Sequence, residues 1–289
     1  MANEIGLSLC INSQNMINLL FLLQNKIMSR LTNLHKNPNH KTAEDSPFIL
    51  RMRFKTEETP SRVDSINTFK QLHHIYQALE AKLAVYANYE QLKFFRQEPW
   101  QERSKYLNLD IIQMSKQLHP SETMAVIGDD QVFDATQTMI DDIEQGDEYT
   151  LLGYLAVRCL GDVFGGQHLN EYNERTFAGQ TLEGYFYNHV KGQTQAISRF
   201  VNQYELSSEQ EEQFFEAANR CFEYHVSLFE QMEKARTPVR NYALKPRDDF
   251  SFKHAACYTL FGITALATAG LSVYMASEPE NTSSLKRFD

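Results

Sequence analysis

Three glycines beside an Arg–Asp pair form the part of the sequence with the clearest chemical potential. Gly161, Gly165 and Gly166 lie within six positions, and each should cost a helix about 1 kcal/mol relative to alanine. One interpretation is close helix packing or a kink. The other is a flat ligand that lies against the backbone, where any Cβ would clash. Asp162, directly after Gly161, is placed to hold a water molecule over such a ligand.

These residues are predicted to lie on one long helix. Arg158 and Asp162 are four positions apart, so their side chains can pair. We predict this helix over residues 147–177. The spacing predicts one face that carries Leu155, Arg158, Asp162, Gly165, Gly166 and Leu169. The glycines do not form a phosphate loop, because no Lys-Ser/Thr ending follows and no strand precedes them.

Two further segments have the spacing of amphipathic helices. Apolar residues recur at steps of three and four over residues 64–89 and 208–234, and Ser207 with Gln210 supplies capping chemistry for the second segment. No stretch alternates with period two between turn signals, so no sheet is predicted. The sequence therefore predicts an all-α protein with a single multi-helix domain over residues 28–236.

Composition narrows the possible partners. The chain has 289 residues, a net charge of -9 and no Lys/Arg-rich run, which argues against nucleic acid as a partner. The four cysteines show no CxxC pattern. A zinc site is therefore not expected, and the protein is predicted to reside in a reducing compartment.

The ends of the chain are predicted to lie outside this domain. Residues 1–27 form an extension with an amphipathic pattern, and residues 237–254 form a linker. Residues 255–276 carry no charged side chain over 22 positions, long enough to span a bilayer, and a polar tail follows at 277–289. The sequence predicts a C-terminal hydrophobic helix that anchors a cytoplasmic domain to a membrane, and the alternative is a buried core helix.

Four segments resemble the heme oxygenase family. The run RCLGDVFGGQ at 158–167 resembles the family's distal-helix signature, HKTAE at 40–44 is similar to its proximal HxxAE element, and LHHIYQALE at 72–80 is similar to its LYHIYxALE segment. A weaker match covers 218–232. The four occur in the family's order, and the resemblance implies a heme oxygenase-like all-α fold.

On the proximal side, the resemblance implies that His40 binds the heme iron and that Glu44 orients its other ring nitrogen. A carboxylate four residues from a metal-bound histidine is a common supporting partner. His35 is the rival ligand, because Pro38 lies between the two histidines. Pro38 is tolerated in a first helical turn, which would shorten this helix.

On the distal side, the resemblance implies that Asp162 holds a water molecule that donates to iron-bound dioxygen. Tyr76 and Arg158 match other members of the family's distal polar network. Without the resemblance, Tyr76 would be a core tyrosine and Arg158 a plain partner of Asp162. His225 stands where asparagine is common, and its charge would depend on pH.

The same resemblance places the porphyrin against the backbone of Gly161, Gly165 and Gly166. Phe222 and Phe229 match aromatic residues of the pocket wall, although periodicity alone would make them ordinary core residues.

The sequence also departs from the family pattern. Thr194 and Ser198 occupy the positions where the family has cations that anchor the heme propionates. Lys191 and Arg199 are near but out of step, since one helical position turns a side chain by about 100°. Weaker heme binding is expected from this loss.

Two functions remain open on these grounds. The resemblance implies a heme oxygenase that opens heme to biliverdin, CO and ferrous iron with dioxygen and an electron-donating reductase or ferredoxin. Heme would then be cofactor and substrate at once. The alternative is a catalytically degenerate member of the fold that serves as a protein- or ligand-binding module.

Overall fold

The structure, a computed structural model, describes residues 30–53, 61–177, 183–203 and 205–236. The described residues contain helices and loops but no strand, which confirms the all-α prediction for this part of the chain. The α-helices are α1 (residues 30–35), α2 (Pro38–Glu44), α3 (Pro47–Met52), α4 (Arg62–Val85), α5 (Arg103–Ser115), α6 (Pro120–Thr123), α7 (Asp134–Gln145), α8 (Glu148–Phe164), α9 (Gly166–Thr176), α10 (Tyr185–His189), α11 (Thr194–Gln203) and α12 (Ser208–Lys234). A 3-10 helix covers Glu90–Arg96.

The helix starts follow the capping chemistry of the sequence. Ser61 and Asp64 form a capping box at α4, and Ser207 and Gln210 form one at α12, as predicted. The Asp147 carboxylate accepts from the Thr150 N–H at 2.8 Å at the start of α8. These side chains satisfy backbone N–H groups that have no partner within the helix.

Helices α8 and α12 form the centre of the packing, and α4 packs on α5 beside them. Gly153 lets α8 approach α12 closely, because a Cβ there would lie 2.6 Å from the Phe214 carbonyl oxygen. Ala217 and Ala218, on the facing side of α12, are fully buried. Small residues on both helices thus set the distance between the two elements.

The long helix predicted over 147–177 is two helices in the structure. α8 ends at Phe164 and α9 begins at Gly166, with Gly165 between them. Three poor helix formers in six positions weaken the helix there. The glycine run therefore interrupts the predicted long helix at Gly165.

Pro38 begins α2, and the Asn37 side chain caps this helix by accepting from the Asn39 N–H at 2.8 Å. Pro38 thus stands in the first turn of α2, as the sequence predicted.

The predicted N-terminal extension (1–27), linker (237–254), hydrophobic helix (255–276) and polar tail (277–289) lie outside the described residues. Among the helices that are described, none is long and apolar enough to cross a membrane.

Candidate functional site

A buried polar cluster is centred on Asp162, which is 1% exposed. Arg158 Nη2 donates to its Oδ1 at 3.0 Å, Arg103 Nη2 donates to its Oδ2 at 3.1 Å, and the Tyr76 hydroxyl also donates to Oδ2. Burial raises the pKa of Tyr76 well above its usual value, and the charge of Asp162 adds to this, so the phenol is a neutral donor. Helices α4, α5 and α8 each contribute a side chain to the cluster. Because Oδ1 accepts one of these hydrogen bonds and Oδ2 accepts two, Oδ1 has more capacity left to accept another.

His225 on α12 extends this cluster. Its Nε2 lies 2.7 Å from Arg158 Nη1, and its Nδ1 lies 2.6 Å from the Cys221 carbonyl oxygen. Arginine only donates, so Nε2 accepts and Nδ1 carries the proton that is donated to Cys221. Burial and, to a smaller extent, the Arg158 charge lower the pKa of His225 to about 3. His225 therefore stays neutral near neutral pH, because the ring is buried against a cation. The sequence-based prediction that its charge would change there is wrong.

Arg103 is a member of the cluster that the sequence analysis missed. Its side chain is 1% exposed, its Nη1 donates to the Phe186 carbonyl oxygen at 2.6 Å, and its guanidinium lies 3.8 Å from the centroid of the Phe186 ring. One guanidinium thus joins the Asp162 carboxylate to α10. Its fork of donors suits this double role, which a lysine ammonium fills less well.

Asp110, two turns along the same face of α5 from Arg103, holds the start of α10. Its two carboxylate oxygens accept from the N–H groups of Tyr185 and Phe186, both at 2.8 Å. Burial raises the pKa of Asp110 to about 6, although these hydrogen bonds oppose the shift. The sequence signal was the presence of both charges in the apolar stripe of α5, which contains Arg103, Leu107, Asp110, Ile111 and Met114.

The three glycines fall into two environments. Gly161 and Gly165 are exposed, and a Cβ at Gly161 would meet nothing within 4 Å. Gly166 is buried, and a Cβ there would lie 2.2 Å from Cε1 of Tyr187. The single face predicted from spacing is therefore wrong. Asp162 lies in the core, whereas Gly161 and Gly165 present bare backbone at the surface, because neighbouring helical positions differ by about 100°.

His40 on α2 lies among the residues predicted for the proximal side. Its Nε2 is 3.9 Å from Glu44 Oε1, and its side chain is 25% exposed. Its ring centroid is 5.1 Å from that of the exposed His35 and 5.3 Å from that of Phe222, which it meets edge-on. Burial lowers the pKa of His40 and Glu44 opposes this, while His35 and Arg53 lower it further. The neutral imidazole that a metal requires is thus favoured.

Helix α12 contacts both predicted sides of the site. Phe222 packs on His40, and one turn further His225 binds Arg158. Phe229 stacks on Phe48 of α3 with ring centroids 5.9 Å apart and lies 6.0 Å from the His225 ring. Both phenylalanines are partly buried against the core. One helix therefore positions an aromatic wall between α2 and α8.

The two positions where the resemblance implies propionate-anchoring cations lie on α11. Thr194 and Ser198 are half-buried there, whereas Lys191 and Arg199 are exposed. Arg199 Nη2 makes a long contact of 3.5 Å with Gln195 Oε1.

Comparison with known proteins decides the family. The heme oxygenase family model matches residues 29–231. The chain belongs to the heme oxygenase family. Heme oxygenase 2 of Rattus norvegicus is 28% identical over 113 residues, which cover 35% of this chain and 36% of that protein. Heme oxygenase 2 of Mus musculus is 27% identical over the same shares, so the alignments span about a third of these curated relatives.

Solved heme oxygenases share the fold. The enzyme from Leptospira interrogans is 20% identical, with a TM-score of 0.57 over 71% of this chain and 99% of that chain. Heme oxygenase-1 from the cyanobacterium Synechocystis, solved in complex with heme, is 19% identical, with a TM-score of 0.58 over 72% of this chain and 93% of that chain. At this identity the likeness is one of fold.

Proposed function

We propose that this heme oxygenase family member binds heme and opens its ring to biliverdin, CO and ferrous iron, with dioxygen and electrons from an external reductase or ferredoxin. The observation that carries the proposal is the polar cluster on Asp162, adjacent in the chain to the bare backbone of Gly161 and Gly165. A flat ligand on that backbone meets no Cβ, and a fixed carboxylate lies one residue away.

The described residues on the proximal side suit heme. His40 offers a partly exposed, neutral imidazole, and Glu44 lies near its Nε2. Rotation of a histidine ring exchanges its two nitrogens, so either can face Glu44 while the other binds iron. Phe222 packs against the ring edge-on. In this proposal His40 is the ligand and Glu44 orients it.

Heme supplies the iron at which dioxygen is reduced and is itself the molecule that is oxidised. The chain supplies orientation and protons. Among the described residues, Arg158 is the one donor to Asp162 Oδ1, and this oxygen is the atom proposed to hold a water molecule. Tyr76 and Arg103 occupy Oδ2 and prevent the carboxylate from rotating. His225 in turn accepts from Arg158 and fixes the guanidinium.

Heme titration of the purified chain tests this proposal. We expect a Soret band typical of histidine-bound heme, which His40→Ala abolishes or shifts to another ligation state and His35→Ala leaves unchanged. Glu44→Gln should weaken binding by about 10- to 100-fold, the usual cost of removing a partner of a metal-bound histidine. Addition of a reductant to the wild-type complex in air, with catalase present, should form biliverdin.

The alternative function rests on Thr194 and Ser198, which offer hydroxyls where cations are expected. A chain that gives no spectral change at micromolar heme would be a binding module of the same fold rather than an enzyme. Binding without biliverdin would limit the proposal to heme binding. Loss of the band in His35→Ala instead of His40→Ala would reassign the iron ligand.

A further inference from the structure

A polar groove lies between α4 and α5, away from the cluster on Asp162. Its volume is 650 Å³, within the range of small-molecule sites. The residues that define its chemistry are Lys70, His73, His74, Gln77, Asn108 and Lys116. None of them belongs to the site proposed for heme. Tyr76 is buried on another face of α4, since Lys70, His74 and Gln77 lie roughly 100–160° around the helix from it.

The groove is positively charged in a chain whose net charge is -9. Asp129 is the one acidic residue among those that line it, and it is 97% exposed. Lys70 Nζ lies 2.7 Å from Asp129 Oδ1 and also donates to the Ile127 carbonyl oxygen at 2.6 Å. This pair is neutral overall. Lys116 therefore leaves the groove with a net positive charge, and protonation of His73 adds to it.

The other lining groups suit an anion on an apolar body. Gln77, Asn108 and Ser115 add neutral hydrogen-bond donors to the cations. Ile111 and Ile112 of α5 supply an apolar surface, and Ile112 is 45% exposed. An exposed isoleucine beside polar donors offers one ligand both an apolar contact and hydrogen bonds.

His73, which lies beside His74, makes the charge of the groove depend on pH. Their ring centroids are 5.9 Å apart. Burial lowers the pKa of His73, and the neighbouring His74 lowers it further while Asp129 raises it. Lys116, directly after α5, adds positive charge to the same groove, whereas Lys70 is paired with Asp129. An anion in the groove would reverse these repulsions, so its binding should take up protons and tighten as pH falls.

We propose that this groove binds a small phosphate ester with an apolar body. The ester's three terminal oxygens and charge near -2 match Lys116, His73 and His74. Its apolar part would lie on Ile111 and Ile112. A carboxylate offers two oxygens and a single charge, and so satisfies fewer of these donors.

Calorimetric titration with phenyl phosphate tests the proposal without heme. We expect saturable binding that is tighter at about pH 6 than at about pH 8, weaker binding of phenylacetate, and none of phenol. The double variant His73→Gln, Lys116→Gln should lower the affinity for phenyl phosphate by at least about tenfold. Lys105→Gln, an exposed change on the same helix α5, should leave the affinity unchanged. The histidine-ring NMR signals of His73 should titrate at higher pH when phenyl phosphate is bound.

Three results would overturn the proposal. The first is the absence of saturable heat up to about 10 mM phenyl phosphate, a concentration that detects even millimolar affinities. The second is equal binding of phenol or phenylacetate. The third is an unchanged affinity in the double variant, which would place any bound phosphate elsewhere. None of these titrations contains heme, so this test remains valid even if the heme titration fails.

Discussion

At the scale of single residues, the buried charges around Asp162 dominate. Two arginines and one carboxylate are buried together, and such a group is tolerated only when each member has hydrogen-bond partners. Arg103 donates to two such partners, the Asp162 carboxylate and the Phe186 carbonyl oxygen. Its removal leaves a buried carboxylate with one cation fewer and an unpaired backbone carbonyl.

Arg103→Met should therefore destabilise the protein by about 3–5 kcal/mol, the usual cost of removing one partner of a buried ion pair. Urea unfolding measures this loss. Lys105→Met is the matched control, because Lys105 lies two positions away and pairs with Glu102 in solvent. We expect its unfolding midpoint to equal that of the wild type. Equal midpoints for both variants would mean that the Arg103 pair contributes nothing net.

His225 gives a pH-dependent prediction. The pKa of an unfolded histidine is about 6.5, whereas burial lowers that of native His225 to about 3. Between these values the unfolded chain binds the extra proton, so stability is complete above about pH 6.5 and falls as pH drops. At about pH 5 this residue alone should cost about 2 kcal/mol relative to about pH 7.

His225→Asn removes that dependence, because the amide oxygen can accept from Arg158 but does not titrate. Urea unfolding of both proteins between about pH 5 and 7.5 should show wild type losing stability faster toward acid. Asp110 acts in the opposite direction, since its pKa of about 6 is raised above the unfolded value of 3.8. It is present in both proteins and cancels in their difference. Parallel curves would contradict a neutral buried His225.

At the scale of elements, the glycine run has two functions in one segment. Gly166 lets α9 start against the buried ring of Tyr187, which is packed between Phe69 and Phe186. Gly161 and Gly165 instead present backbone without a side chain at the surface near the end of α8. The packing and ligand interpretations of the sequence therefore apply to different glycines of the same run.

Alanine substitutions should separate these two functions. Gly166→Ala should lose about 1–3 kcal/mol, since the ring of Tyr187 is too confined to move away from the new Cβ. Gly161→Ala meets nothing in the heme-free protein and should gain up to about 1 kcal/mol in helix stability. If the porphyrin lies on this backbone, Gly161→Ala should nevertheless weaken heme binding, as measured by a Soret titration. Undiminished heme affinity in Gly161→Ala would argue against that placement.

The elements also show how far the sequence predicts the site. α4 and α12 were predicted because long amphipathic stripes and a Ser–Gln capping box are local signals. The break at Gly165 was not assigned, because the partner of Gly166 is Tyr187, 21 positions along the chain. The pairing of Arg103 with Asp162 depends on α5 packing near α8, which spacing within one helix does not encode. Local periodicity thus predicted the helices, and tertiary contacts decided which charges meet.

At the scale of the whole molecule, α12 connects the halves of the proposed site. Its 27 residues pack on α2, α7 and α8. Phe222 and His225 are three positions apart, on adjacent parts of one face. Displacement of α12 would therefore change the surroundings of His40 and the hydrogen bond to Arg158 together.

The uncharged segment near the C-terminus bears on where the whole chain resides. Residues 255–276 lie outside the described part, yet their 22 positions without a charged side chain are long enough to cross a hydrocarbon core of about 30 Å. Lys245, Arg247 and Lys253 precede them, which favours retention of the helical domain on the cytoplasmic side. We propose that this segment anchors the protein. Carbonate extraction of membranes should retain the full chain and release a version that ends at Asp249. Release of both would refute the anchor and favour a segment packed within the protein.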